Sequence, residues 1–173
     1  MIDPISFLLT ILLAVALSHL VRPRAPAVRL FWSCAPGAVL LLAAHPLALV
    51  FALLCLAFAA AVYAFGRRSG WPRLRARLPY AILLPLFAPD LFGVFAAAPI
   101  LWLGSAFFLV RQMMTVAAAL KNRRAPQDVA PALLLATFFL PAIPSGPVFS
   151  GLDLWDRFAE RRPPDYGEGL HRL

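Results

Sequence analysis

The sequence predicts an all-α fold: a polytopic helical membrane protein, a single membrane domain over 1–173, with about six transmembrane or re-entrant helices and an interfacial helix at its C-terminal end. Three observations predict it. Hydrophobic residues make up 62% of the 173 residues and charged residues only 14%, where a soluble domain carries roughly 25% charged residues. Too few polar side chains exist to cover a water-facing surface, which excludes a soluble globular enzyme, a disordered chain and a coiled coil. The apolar residues also fall in long runs. Finally, most of the 16 basic residues, which against 8 acidic ones give a net charge of +8, sit in short clusters between those runs. Such clusters mark cytoplasmic loops, and they account for the basic surplus without a nucleic-acid partner.

The first apolar run is 5–21, at the short end of a membrane span. It is read as a retained helix and not as a signal peptide, because Asp3 stands where a positive charge is needed and no small-residue cleavage site follows. His19 lies at its basic end, as an interfacial anchor. Arg22, Arg24 and Arg29, interleaved with Pro23 and Pro26, form the first basic loop. Leu30 to Phe65 is 36 residues without a formal charge. At a rise of ~1.5 Å per residue that is about 54 Å, too long for one crossing of a ~30 Å core. Two helices, 30–44 and 47–65, must therefore meet at a turn. His45-Pro46 is the expected break, since the residue before proline is pushed out of the helical region. Cys34 and Cys55 lie inside these runs as small buried hydrophobes.

Arg67, Arg68, Arg73, Arg75 and Arg77 form the second basic loop, with Trp71 as an aromatic anchor. Leu78 to Leu120 again holds two crossings, 78–95 and 99–120, with the turn between Asp90 and Pro99. Lys121, Arg123 and Arg124 close the third loop. Pairs of crossings separate the three basic loops, so all three face one side, the cytoplasm, and the N-terminus lies outside. The sixth run, 129–149, is expected to start on Asp128 as N-cap, with Pro131 in the first turn. Its Pro141–Pro147 stretch cannot continue as regular helix. It either ends at the far interface or forms a re-entrant hairpin lining a cavity, the only setting in which irregular backbone is tolerated at membrane depth. The tail 150–173 sets Trp155 and Phe158 against Asp153, Asp156, Arg157, Glu160, Arg161 and Arg162, the pattern of an interfacial helix.

No phosphate-binding Gly-rich loop, metal-ligand spacing or Ser-His-acid arrangement is present in the sequence. Its candidate site residues are instead polar groups at membrane depth. Arg111 and Gln112 fall halfway along the fifth run, where an ionised side chain costs at least ~2.5–3.5 kcal/mol and a partner or site is the default reading. Asp90 is the intramembrane counter-ion that this chain can offer Arg111. The alternatives are that Asp90 lies in a loop and that Arg111 snorkels or meets a carbonyl.

Three segments carry a resemblance. Leu103-Gly-Ser-Ala-Phe-Phe-Leu-Val-Arg-Gln112 is similar to the Leu-Gly-x-Ser-Phe-x-x-Phe segment of the membrane-bound O-acyltransferases (MBOAT enzymes), which include the bacterial alginate O-acetylase and teichoic-acid D-alanylation proteins. Phe138-Phe-Leu-Pro-Ala-Ile-Pro-Ser-Gly-Pro-Val148 resembles that family's Phe-Phe-Pro…Ala-Gly-Pro-Ile signature. Glu168-Gly-Leu-His-Arg-Leu173 resembles its Glu-Gly-Leu-x-Arg-Ile. Order and spacing agree from about Leu78 to Leu173. Thr115 and Ala118 stand where the family usually has Tyr and Asp, and Ser150 stands where an Arg often follows Gly-Pro-Ile-x. The family's catalytic His lies in a later helix, and His19, His45 and His171 do not match it.

The resemblance implies the amino-terminal half of an acyltransferase of the bacterial cytoplasmic (inner) membrane, incomplete as given. That enzyme would transfer an acyl group, acetyl in the first instance, to a hydroxyl of a cell-envelope polysaccharide. It implies no metal and no bound cofactor, and an acyl donor of acetyl-CoA or acyl-carrier type. Its partners would be the lipid bilayer and either the missing carboxy-terminal half or a polysaccharide-modification partner. Arg111, Gln112, Pro141, Ser145, Gly146 and Pro147 become tunnel-lining or scaffold candidates, with no catalytic residue in this chain. The competing readings are a non-enzymatic membrane subunit or scaffold and, marked by broken helices, half of a transporter.

Overall fold

The computed structural model describes residues 26–44, 46–87, 99–139 and 150–159. Every regular element among them is helical: α1 (Pro26–Ala44), α2 (Pro46–Arg68), α3 (Pro72–Arg77), a 3-10 segment (Leu78–Phe87), α4 (Pro99–Lys121), α5 (Pro126–Phe138) and α6 (Gly151–Ala159). Five of the nine prolines among the described residues are punctuation. Helices α1 to α5 each open on a proline, where the missing N–H is one that the first turn leaves unpaired anyway and φ is already helical. That is why α1 begins at Pro26, four residues ahead of the expected Leu30. It is also why α1 ends at Ala44 and α2 starts at Pro46, on either side of the expected break.

Two expectations change. The run 78–95 was expected to cross as an α-helix, yet Leu78–Phe87 is a 3-10 helix. Pro79 and Pro85 each remove an N–H and crowd the carbonyl four residues back, which disfavours the α pattern. Residues 88–95, with Asp90, lie outside the described residues. Likewise α5 does not begin on Asp128. Its N-cap is the extended Ala125, Pro126 takes the first helical position, and Asp128 sits within the first turn, where its charge complements the helix dipole. Pro131 is then interior to α5, beyond the first turn.

Helix α4 is the hub. It packs against α2, the 3-10 segment, α5 and α6, while α1 lies across α2 and α5. Small residues make these approaches close: Ala52, Ala59, Ala119, Ala132 and Ala136 have no exposed surface, as at helix contacts in membranes. Larger side chains such as Phe51, Ile82, Leu109, Val116 and Leu133 fill the remaining core. Cys34 and Cys55 are free thiols, Cys55 within the core.

The outward faces are apolar as well. On α2, Leu47, Val50, Leu54, Phe58 and Phe65 recur at steps of three, four or seven and are all exposed. One face of the helix is core and the other is bare hydrocarbon. Phe31 and Val39 on α1, with Leu84 on the 3-10 segment, extend that surface at about 60% exposure each. Helix α2 is 23 residues, about 35 Å at the usual rise, and among the described residues it is the one helix long and apolar enough to cross a membrane.

At its end α4 closes with two backbone bonds, Asn122 N–H to Ala118 O at 2.9 Å and Arg124 N–H to Ala119 O at 3.0 Å. Between them Arg123 takes a left-handed φ of 50°. This is the cap geometry that glycine or asparagine normally supplies, and it costs an arginine about 1–2 kcal/mol.

Candidate functional site

Three helices converge on a buried polar cluster. Arg111 (1% exposed), Gln112 and Thr115 come from α4, Thr137 from α5, and Ser150 with Gly151 from the start of α6; Gln112, Thr115 and Thr137 have no exposed surface. Positions 111, 112 and 115 share a face because i and i+4 stack along a helix. Each threonine first satisfies its own helix: Thr115 Oγ1 donates to Arg111 O at 2.7 Å and Thr137 Oγ1 to Leu133 O at 2.8 Å, the four-residue back-bond of hydroxyls in apolar helices. With its one proton committed, each hydroxyl can only accept. Thr137 Oγ1 accepts from Gln112 Nε2 at 2.7 Å, and Thr115 Oγ1 accepts from Gly151 N–H at 2.8 Å. That logic fixes the amide of Gln112, with its nitrogen toward Thr137. Gln112 Oε1 is buried without a hydrogen-bond partner among the described residues.

Gly151 is at this position because nothing larger fits. A Cβ there would lie 2.0 Å from Ala132 O, 2.9 Å from Ala132 C and 3.1 Å from Thr115 Oγ1. Ser150 caps the helix: its Oγ accepts Leu152 N–H at 3.2 Å and its carbonyl accepts Asp153 N–H at 3.1 Å, one of the four orphan donors of a helix start satisfied by a side chain. Further along, Asp156 accepts from Arg124 Nη2 in the basic turn.

These contacts place α6 relative to α5. Helix α5 leaves the basic turn at Pro126 and ends at Phe138, with Phe139 extended. By Gly151 the chain is back at the level of Ala132, and by Asp156 it is beside Arg124. Helix α6 therefore lies at the basic end of the bundle, beside α5. Leu152 at 3% exposure is part of the core; Asp153 and Arg157 face outward. The expected interfacial helix is thus anchored in the bundle by its first turn.

Of the residues singled out from the sequence, Arg111 and Gln112 lie side by side in this cluster. Asp90, Pro141, Ser145, Gly146 and Pro147 lie outside the described residues, as do His19, His45 and His171. Thr115, Thr137, Ser150 and Gly151 were not singled out as site residues. The signal was a lone hydroxyl in an apolar run, twice, and a Ser-Gly pair ahead of an amphipathic helix. Each threonine hydroxyl gives its proton to a carbonyl of its own helix and not to a base, so neither is poised as a nucleophile. Arg111 and Gln112 set a buried guanidinium beside a buried amide, groups suited to holding polar partners and not to removing a proton. Among the described residues no three His, Cys, Asp or Glu side chains group to hold a metal ion. No protein-family model matches the chain, and no curated protein and no solved structure matches it.

Proposed function

We propose that the chain is a multi-pass protein of the bacterial inner membrane and forms the amino-terminal half of an MBOAT-type O-acyltransferase acting on a hydroxyl of an envelope polysaccharide. The observation that carries this reading is the Arg111–Gln112 pair. Both are buried in the helix that bears the family-like segment, and Gln112 is tied to Thr137, just before the Pro141–Pro147 stretch. One turn away Thr115 is tied to Gly151, just after it. The residues that flank the family-like Gly-Pro segment, Thr137 and Gly151, are thereby both held to one helix, an arrangement that suits a tunnel wall. The exposed apolar faces of α1, α2 and the 3-10 segment support the membrane setting, since a patch of that extent is a liability in water.

In this reading an acyl donor reaches the tunnel from the cytoplasmic side and the hydroxyl acceptor from the other. A histidine acting as general base to the hydroxyl comes from outside the matched segments. Arg111 and Gln112 line or brace the wall and take no proton. The test is genetic and chemical: delete the gene in its source organism and measure base-labile acetyl esters on the envelope polysaccharide. Loss of esters, restored by the wild-type gene but not by an Arg111→Leu variant that still reaches the membrane, supports the assignment. Unchanged ester content refutes it and leaves a non-enzymatic membrane subunit.

A further inference from the structure

At the basic end of the bundle the C-terminus of α2, α3 and the α4–α5 turn surround an open recess of about 390 Å³, walled by Tyr63, Arg67, Arg75, Arg123 and Arg124 over Leu120. Four guanidiniums from three separate stretches of chain meet there, and among the described residues one carboxylate, Asp156 on Arg124, answers them. Two of the four are held in place. Arg75 donates through Nε to Gly66 O at 3.2 Å and through Nη2 to Ser69 O at 2.7 Å, which leaves three of its five N–H donors. Arg124 is held by Asp156, and its carbonyl accepts from Tyr63 Oη at 2.7 Å. Arg123 stands in the strained left-handed position that glycine would occupy without cost. Strain of this kind tends to persist where a side chain is used.

A second cavity, of about 500 Å³, adjoins the recess through the shared Tyr63 and Arg67. It runs between α2 and α5 and is largely apolar, lined by Ala60, Ala64, Ala130 and Leu133, with Arg67 and Arg68 also in its wall. A charged recess beside a largely apolar groove is complementary to one kind of molecule. We propose that the two together bind an anionic phospholipid, its phosphate among Arg67, Arg75 and Arg123 and one acyl chain along Ala60, Ala64 and Ala130. Guanidinium forks match phosphate oxygens bidentately. The small exposed alanines leave room for a chain beside α2, the helix long enough to span a bilayer. The site does not depend on the acyltransferase reading.

The experiment uses the purified chain in detergent, titrated with phosphatidylglycerol, phosphatidylcholine or inorganic phosphate, with binding read by native mass spectrometry and thermal shift. Phosphatidylglycerol should bind at least tenfold more tightly than phosphatidylcholine. Arg67→Gln with Arg123→Gly should remove most of that preference, and Arg73→Gln, on a residue outside the recess, should not. Arg123→Gly alone should raise the melting point of the lipid-free protein by roughly 2–4 °C while weakening phosphatidylglycerol, opposite signs that a purely structural role would not give. Ala64→Phe, at an exposed groove position, should weaken the lipid severalfold and leave phosphate unaffected. Equal binding of the two lipids, equal loss in Arg73→Gln, or inorganic phosphate binding as tightly as the lipid would each overturn the proposal.

Discussion

The tightest contact in the bundle gives the sharpest prediction. In Gly151→Ala the new Cβ would sit 2.0 Å from the carbonyl oxygen of Ala132, where ordinary contact begins near 3.4 Å. Both partners are backbone in packed helices, so neither can rotate away, and the start of α6 must move by about 1.4 Å to relieve the overlap. Overpacking a filled site costs about 1–3 kcal/mol. The same displacement stretches the 2.8 Å bond from Gly151 N–H to Thr115 Oγ1, a further ~1 kcal/mol once a buried group loses its partner. A total of about 2–4 kcal/mol corresponds to a melting-point fall of roughly 5–15 °C for a chain of this size. Gly70→Ala is the control, because a Cβ there meets nothing within 4 Å. Thermal unfolding of the two variants in the same detergent, followed by monodispersity on size exclusion, separates them. A Gly151→Ala protein that melts with Gly70→Ala would show that α6 does not dock against Ala132 and Thr115, and the placement of α6 at the basic end would fall with it.

Three further outcomes are expected. Thr137→Val removes the acceptor of a buried amide and should cost about 1–3 kcal/mol, while adding Gln112→Met should recover part of that loss in the same melting assay. Asp156→Asn breaks an ion pair whose side chains are 35–37% exposed, so the effect should stay under about 1 kcal/mol and shrink in high salt; a larger loss would mean that Arg124 has a buried role. Reporter fusions after Arg29, Arg77, Arg124 and Ala159 should all report the cytoplasm and a fusion near His45 the outside, and an external signal at Ala159 would contradict the placement of α6 at the basic end.

Hydropathy and proline spacing made the helical class legible, because composition decides which side chains can be covered and proline decides where a helix can start. The division at position 45 and the start of the fifth run at Pro99 follow from those two rules alone. Arg111 and Gln112 stood out because charge and amide are costly in an apolar run. The placement of α6 beside α5 at the basic end was not legible. A run of apolar residues reads as a crossing only if the helix continues, and the extended backbone at Phe139 ends it after 13 residues. Nor does a hydrophobic count distinguish 3-10 from α over Leu78–Phe87, where two prolines decide the pitch. Gly151 was invisible for another reason: the carbonyl it accommodates is 19 positions away in sequence.

The polar cluster has a consequence for how the segment between α5 and α6 is held. Gln112 on one side and Thr115 on the other hold the residues that flank that segment, Thr137 and Gly151, to a single face of α4, less than one helical turn apart. The bonds share no atom, yet both bear on the same stretch of α4 backbone, since Thr115 also donates to Arg111 O. Loosening one should therefore let the helix shift and weaken the other. Thr115→Val deletes the acceptor of Gly151 N–H, Gln112→Met deletes the donor to Thr137, and independent sites would add within about 0.3–0.5 kcal/mol. The double variant is expected to miss additivity by more than about 0.5 kcal/mol, the scale of residues in one network. Strict additivity in thermal unfolding would mean that α4 is rigid between the two anchors, and that entry to and exit from the segment are held separately.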